Sequence, residues 1–211
     1  MTAICDVVII GAGPAGLADV LAGRNLDVRL LDENPGVGGQ WLRMPAPGRD
    51  FKRRVTVDAA RRRGMRLRAA ARKGIRVETG VQVLGIFPPD RLLVQDYDGR
   101  VKEMAAHCMI CASGARERFI PFPGWTLPGV FSTGAAQILL KSAGMLPAAV
   151  NVVAGTGPLP LLLARQIVAH GGRVVEVLDG ASVAAKLQML HLLPRQVGRL
   201  VHGAWLMAGL T

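Results

Sequence analysis

Two stretches of this 211-residue chain carry residue types whose spacing could do chemistry. The first is Gly11-x-Gly13-x-x-Gly16, followed 21 residues after Gly11 by Asp32. The second is Gly155-x-Gly157 with Asp179 downstream, but Pro160 stands where a third glycine would be. Each glycine in such a pattern answers a separate need. Gly11 permits a tight turn, Gly13 lets the backbone approach a pyrophosphate, and Gly16 lets the next helix pack closely on its strand. A helix N-terminus then turns free N–H groups and a partial positive charge toward the phosphates. A carboxylate about 20 residues on can receive ribose hydroxyls. The chemistry pointed to is dinucleotide binding at the first turn. The second turn keeps the acid but has exchanged a hydrogen for a ring.

These groups need particular elements to hold them. "VVII", residues 7–10, is a continuous apolar run, as suits a parallel strand covered on both faces. A helix from Pro14 should end in a left-handed stop at Asn25. A second strand, "VRLL", ends at Asp32. Gly38-Gly39-Gln40 then follow. Paired glycines let the backbone pass close to a flat ring system. The Gln40 amide can both donate to and accept from the edge of a flavin. Together these narrow the dinucleotide to FAD. Residues 75–112 read as short strands, "IRVETG", "VQVLGIF", "RLLVQDYDGRVKEM" with a turn at Asp98-Gly99, and "HCMICASG". The expected fold is α/β, a Rossmann-like FAD-binding domain with a β-meander insertion and the start of a second Rossmann-like, NAD(P)-type domain. The expected boundaries are 1–120 for the first domain, with the meander at about 75–105, a connecting segment at 121–150, and a partial second domain at 151–211.

Composition narrows the remaining classes. The net charge of +11 comes from 26 basic and 15 acidic residues. Ten of the basic residues and one acid fall in residues 52–73; without them the balance is 16 against 14. The stretch contains no aromatic residue on which bases could stack. It reads as a solvated basic face, with no specific nucleic-acid binding. The three cysteines are too few for a disulfide framework. Cys108 and Cys111 lie three apart in a strand, so they face opposite sides and read as core thiols rather than a redox pair. The first apolar run is short, lacks a basic lead and contains Asp6; residues 197–210 are broken by Arg199 and His202. No membrane span is expected, and the cytoplasm is the default location.

The segments "GAGPAG…LLDE…GGQW", "CASGARERFIPFPGWTLPGVFSTGAAQILLKSAG" and "AGTGPLPLLLA" resemble the two-dinucleotide-domain flavoproteins. Within that family they are similar to the opine oxidase, hydroxyproline dehydrogenase and hydrogen cyanide synthase large-subunit type, related to the sarcosine oxidase alpha subunit. The resemblance covers nearly the whole chain and is most specific over residues 114–144. It implies that Gly11, Gly13, Pro14, Ala15 and Gly16 cradle the FAD pyrophosphate. It places Asp32 at the adenosine ribose, with Glu33 beside it, and Gly39 and Gln40 on the approach to the flavin. Val83 matches a position whose backbone meets the adenine. Ser113 and Gly114 match the family's Thr-Gly, where the chain passes the cofactor. Phe119 replaces the family's usual proline, and the Gly16–Asp32 interval is shorter than usual, which could tilt the ribose carboxylate.

The resemblance also shows what the pattern lacks. Family members are longer, returning to the first domain with a late Gly-Asp turn, and many add a cysteine-rich [2Fe–2S] domain that needs four thiolates. The chain therefore reads as a fragment, and its last thirty or so residues read as apolar helix. No catalytic acid, base or nucleophile stands out. His107, His170, His191 and His202 have no ligand or triad spacing, and His170 reads as a helix cap. Arg116 and Arg118 could hold an anion or simply be solvated. The leading expectation is a FAD-dependent oxidoreductase in which this chain handles electrons or hydride while a partner protein oxidises an amine, opine or amino acid. Two alternatives stand beside it: a non-catalytic nucleotide-binding or subunit-interaction module, and an NAD(P)H-dependent flavoprotein reductase. The second turn is expected to hold NAD(P)H weakly or not at all. Any residual site there would favour NADH, because Asp179 would repel a 2′-phosphate.

Overall fold

The computed structural model describes residues 4–22, 25–43, 69 and 75–182. The basic stretch at 52–73, apart from residue 69, and the apolar tail with His191 and His202 lie outside the described residues. The described chain forms two compact units, the first ending at Arg116 and the second beginning at Glu117.

The first unit is one six-stranded sheet with a helix. Its elements are β1 (Ile4–Ile10), α1 (Pro14–Ala22), β2 (Val28–Asp32), β3 (Arg76–Thr79), β4 (Gln82–Phe87), β5 (Arg91–Gln95) and β6 (Val101–Cys111). The strand order is β3-β2-β1-β6-β5-β4. β1 pairs in parallel with β2 on one side and β6 on the other, and β3 extends the parallel part beyond β2. This is the expected α/β, Rossmann-like arrangement, and β1 contains the whole "VVII" run. Asn25 has φ 72, the left-handed geometry expected of the stop after α1.

Two details differ from the sequence reading. Residues 76–79 belong to the parallel sheet through β2, so the antiparallel meander consists only of β4, β5 and β6. The stretches "VKEM" and "HCMIC" are also one continuous strand of 11 residues. Its first half pairs antiparallel with β5, from Val101 to Ala105, and its second half pairs in parallel with β1, from Ala105 to Cys111. Ala105 and Ala106 carry side chains small enough to be buried where the strand changes partner.

The two faces of the sheet are covered differently. Leu17 of α1 packs with Ile9, Val28, Leu30 and Leu42. On another cluster, Leu92, Val94 and Met104 of the meander pack with Cys5, Val8 and Leu31. The meander therefore curls back over the parallel strands. An ion pair marks this curl: Lys102 of β6 lies 3.5 Å from Glu78 of β3, which also meets Arg29 of β2 at 3.6 Å. α1 packs on β1 and β2. Cys108 and Cys111 are exposed, which corrects the expectation that they would be core residues; only Cys5 is buried.

The second unit contains α2 (Thr133–Ile138), a π-helical turn (Leu139–Ala143), β7 (Val150–Gly155), α3 (Pro158–Ala169) and β8 (Arg173–Asp179). The Glu117 carboxylate accepts from the Thr133 N–H (3.1 Å) and the Gly134 N–H (2.7 Å), and Ser132 Oγ accepts from Ala135 N–H. Together they satisfy orphan donors at the start of α2. β7 and β8 pair in parallel, giving the expected second βαβ unit. α3 and α2 bury Leu163, Ala164, Ile167 and Ala136 against Val153, with Val174 and Val177 packed alongside. His170 caps α3 as expected: its N–H donates to Gln166 and Ile167 carbonyls, and its Nδ1 lies 2.7 Å from the Gln166 oxygen.

Candidate functional site

The carboxyl ends of β1, β2 and β6 meet at one edge of the parallel sheet. From β1 the chain passes by α1 to β2 on one side, while β6 lies on the other side. This is a topological switch point, where open α/β sheets bind their ligands. Three loops converge there. Gly11 N–H donates to the Leu31 carbonyl (2.8 Å), Ala112 N–H to Ile10 (2.8 Å), and Gly38 N–H to Ala12 (2.7 Å).

The three glycines of the first turn have different surroundings. Gly11 has φ 107, and a Cβ there would collide with the Ala112 carbonyl. A Cβ on Gly16 would collide with the Gly11 carbonyl. Both are glycine because the protein's own backbone occupies the space. At Gly13 a Cβ would find nothing nearer than the Gly39 Cα, at 4.0 Å. The fold itself leaves room there, so the open space on that side of the turn is available to a ligand. Gly39, with φ 58, has the converse geometry: its Cβ would come within 2.9 Å of the Gly13 Cα. The "GGQ" segment is thus pressed against the glycine turn. Pro14 opens α1 with Ala15 and Gly16 behind it. Pro14 can donate nothing, but Ala15 and Gly16 carry backbone N–H groups at the helix start.

Asp32 is 7% exposed and ends β2. Its Oδ2 accepts from the Ala12 N–H at 2.7 Å. Its Oδ1 accepts from the Asn34 N–H (2.8 Å) and from Asn34 Nδ2 (2.9 Å). The acid therefore braces the glycine turn from below. A carboxylate offers about four lone-pair sites; three are taken, so capacity for one ribose hydroxyl is left on Oδ2. Glu33 beside it is exposed, with no hydrogen bond or ion pair among the described residues. Sequence reasoning missed Asn34, which links Asp32 to Arg43: Arg43 Nη2 donates to Asn34 Oδ1 at 3.1 Å. The Asn34-Pro35 pair, a turn signal, could have drawn attention to it.

Gln40 reaches across the crevice, its Nε2 donating to the Ala115 carbonyl at 3.2 Å. Ser113 and Gly114 lie just past the end of β6, both exposed, and Gly114 has φ 79 with nothing near its missing Cβ. Val83 sits on β4, partly buried against the cluster that holds Leu31 and Val81. Val81 joins that strand's approach to the site, donating its N–H to the Asp32 carbonyl (3.0 Å). The structure thus brings together the first turn, Asp32, Gly39, Gln40 and the residues after β6; Glu33 is exposed beside Asp32, and Val83 lies on the edge strand β4. Among the described residues no cluster of His, Cys, Asp or Glu could hold a metal ion. Among them, too, no helix is long and apolar enough to cross a membrane.

Comparison with known proteins agrees with this fold. Residues 5–199 match the family model for pyridine nucleotide-disulphide oxidoreductases. The chain is 38% identical over 194 residues to an opine oxidase subunit of Rhizobium meliloti, covering 90% of this chain and 42% of that protein. It is 34% identical to hydrogen cyanide synthase subunit HcnB of Pseudomonas protegens, covering 83% of this chain and 38% of that one. Among solved structures, L-proline dehydrogenase from P. horikoshii superposes with a TM-score of 0.68 at 24% identity, over 83% of this chain and 36% of that one. The chain thus spans well under half the length of these relatives. The match across nearly its whole length shows that it belongs to the pyridine nucleotide-disulphide oxidoreductase family.

Proposed function

We propose that the first unit binds FAD and that the chain is the FAD-binding part of an oxidoreductase acting on an amine, opine or amino acid. The observation that carries this reading is the contrast among the turn glycines. Gly11 and Gly16 serve internal packing, whereas the space beside Gly13 is left open at a switch point. The pyrophosphate would lie against Gly13, Pro14, Ala15 and Gly16. Asp32 would receive the ribose while bracing Ala12, with Glu33 at the rim. Gly39, Gln40, Ser113 and Gly114 would line the path toward the flavin, and the Val83 backbone would meet the adenine. When bound, FAD supplies hydride acceptance from an organic donor. The chain's own residues position it. Gln40 is held toward β6 by Ala115, and Asp32 fixes the turn in shape before any ligand arrives.

The substrate class and the partner come from the relatives, two of which are named as subunits, one of an opine oxidase and one of a hydrogen cyanide synthase. A cytoplasmic setting suits three free cysteines. Exposed apolar residues between Phe119 and Phe131 favour a second reading, a subunit-interaction module without catalysis. Absorbance of the purified chain after mixing with FAD and desalting separates the two. Retained flavin that is lost in Gly13→Val, with an unchanged circular dichroism melt, supports FAD binding. Gly13→Val that retains FAD as wild type does would place the site elsewhere.

A further inference from the structure

Membership of a pyridine nucleotide-dependent family and the β7-α3-β8 unit both imply a pyridine nucleotide on the second glycine turn, and the residues there fit one poorly. We infer that this unit keeps the dinucleotide fold, and even the open space beside Gly157, but has lost a phosphate donor at the helix start, with Pro160 as the cause. The fold signs are intact. β7 and β8 are parallel, Gly155 and Gly157 form the turn, and Asp179 ends β8. Asp179 Oδ1 even accepts from the N–H two residues on, Ala181, at 2.9 Å, as Asp32 does from Asn34.

The packing of the turn is inverted relative to the first unit. There the helix residue, Gly16, must lack a side chain because the Gly11 carbonyl lies against it. Here the helix residue carries a ring. Pro160 is buried, and a Cβ on Gly155 would come within 2.8 Å of the Pro160 Cγ. The glycine is now needed on the strand side, to make room for the proline. The ring fills the space through which the helix of a binding unit approaches its turn.

The donors are reduced as well. α3 starts at Pro158, and Gly157 before it provides no side-chain cap. Prolines at 158 and 160 remove two N–H groups from the first helical turn. The matching positions in the first unit are Pro14 and Gly16, of which Gly16 keeps its N–H. A hydrogen bond to a charged group contributes about 1.5–3 kcal/mol, so losing one weakens binding about 10- to 100-fold. This unit therefore holds a pyridine nucleotide more weakly than an intact turn would.

Calorimetric titration of the 211-residue chain with NADH and with NADPH tests this, with FAD titrated into the same preparation. The expected result is NADH and NADPH binding at about 10–100 μM or weaker, with at least about tenfold strengthening of NADH binding in Pro160→Gly. NADH binding by wild type tighter than about 10 μM that is lost in Gly157→Val would overturn the inference. A folded Pro160→Gly chain, checked by circular dichroism, that gains no NADH affinity would overturn the assignment to Pro160. The FAD titration reads the first turn separately, so failure of the FAD reading is distinguishable from failure of this one.

Discussion

A methyl group at Gly16 or Gly11 collides with main chain, whereas one at Gly13 touches nothing closer than 4.0 Å. Substitution should therefore split the motif. Gly16→Ala should lower the denaturation midpoint or prevent folding. Gly13→Ala should leave stability within about 0.5 kcal/mol of wild type and act on FAD retention alone. Asp32→Ala should act on both, because it strands the Ala12 N–H; leaving a buried donor unsatisfied costs about 1–3 kcal/mol. Paired thermal melts and FAD titrations of the three variants check this ordering. The cysteines give a further prediction. Cys5 is 2% exposed and its Sγ donates to the Ala105 carbonyl, while Cys108 and Cys111 are exposed. Burial pushes the Cys5 thiol above its ordinary 9.0, outweighing the opposite pull of Arg29. The folded state thus favours the protonated thiol. Its contribution to stability is full below pH 9.0 and is lost as pH rises through the higher folded value. Alkylation at neutral pH should modify two of the three thiols until the chain unfolds, and Cys5→Ala should flatten the alkaline fall in stability.

At the level of elements, the glycine turn and its flanking strands were legible because local backbone geometry dictates those residues. The left-handed Asn25 and the capping His170 were legible for the same reason. The second role of Asp32 was not, because it depends on β1 and β2 lying side by side so that its Oδ2 reaches the Ala12 N–H. Nor was the length of β6. Nothing between Met104 and Cys108 breaks a strand, yet alternation alone cannot show that a strand changes partner midway. The exposure of Cys108 and Cys111 was hidden because an apolar run suggests cover on both faces, while α1 lies over β1 and β2. The meander cluster gives a quantitative prediction. Met104→Ala should cost about 2–5 kcal/mol through the cavity it leaves, whereas Phe87→Ala, on the exposed end of β4, should change stability by under about 0.5 kcal/mol. Glu117→Ala, which frees two donors at the start of α2, should cost about 0.5–2 kcal/mol. Urea titration of these three variants reads all three values.

Over the whole molecule, apolar surface is left open in both units. In the second, Ile120 is 77% exposed and Leu127 62%, with Phe119, Phe122, Trp125, Val130 and Phe131 exposed nearby. Val150, Val152, Val175 and Leu178 of β7 and β8 are exposed as well. Contiguous apolar patches of this kind mark interaction surfaces or association hazards. The purified chain should therefore bind a hydrophobic dye such as ANS while still melting cooperatively. A double change, Ile120→Lys with Phe122→Lys, should reduce dye fluorescence and concentration-dependent association with little effect on the melt. Unchanged fluorescence would show that these side chains are covered in solution.

Because β6 is the outer strand of the meander for half its length and the neighbour of β1 for the other half, the insertion is not a detachable cassette. Cutting the chain between Met104 and Ala105 would sever a girder common to both halves. Two fragments split there should fail to complement each other, whereas a nick at the Asp98-Gly99 hairpin should be tolerated. Amide exchange along Val101–Cys111 should accordingly follow one shared opening, with the meander half as slow to exchange as the half beside β1.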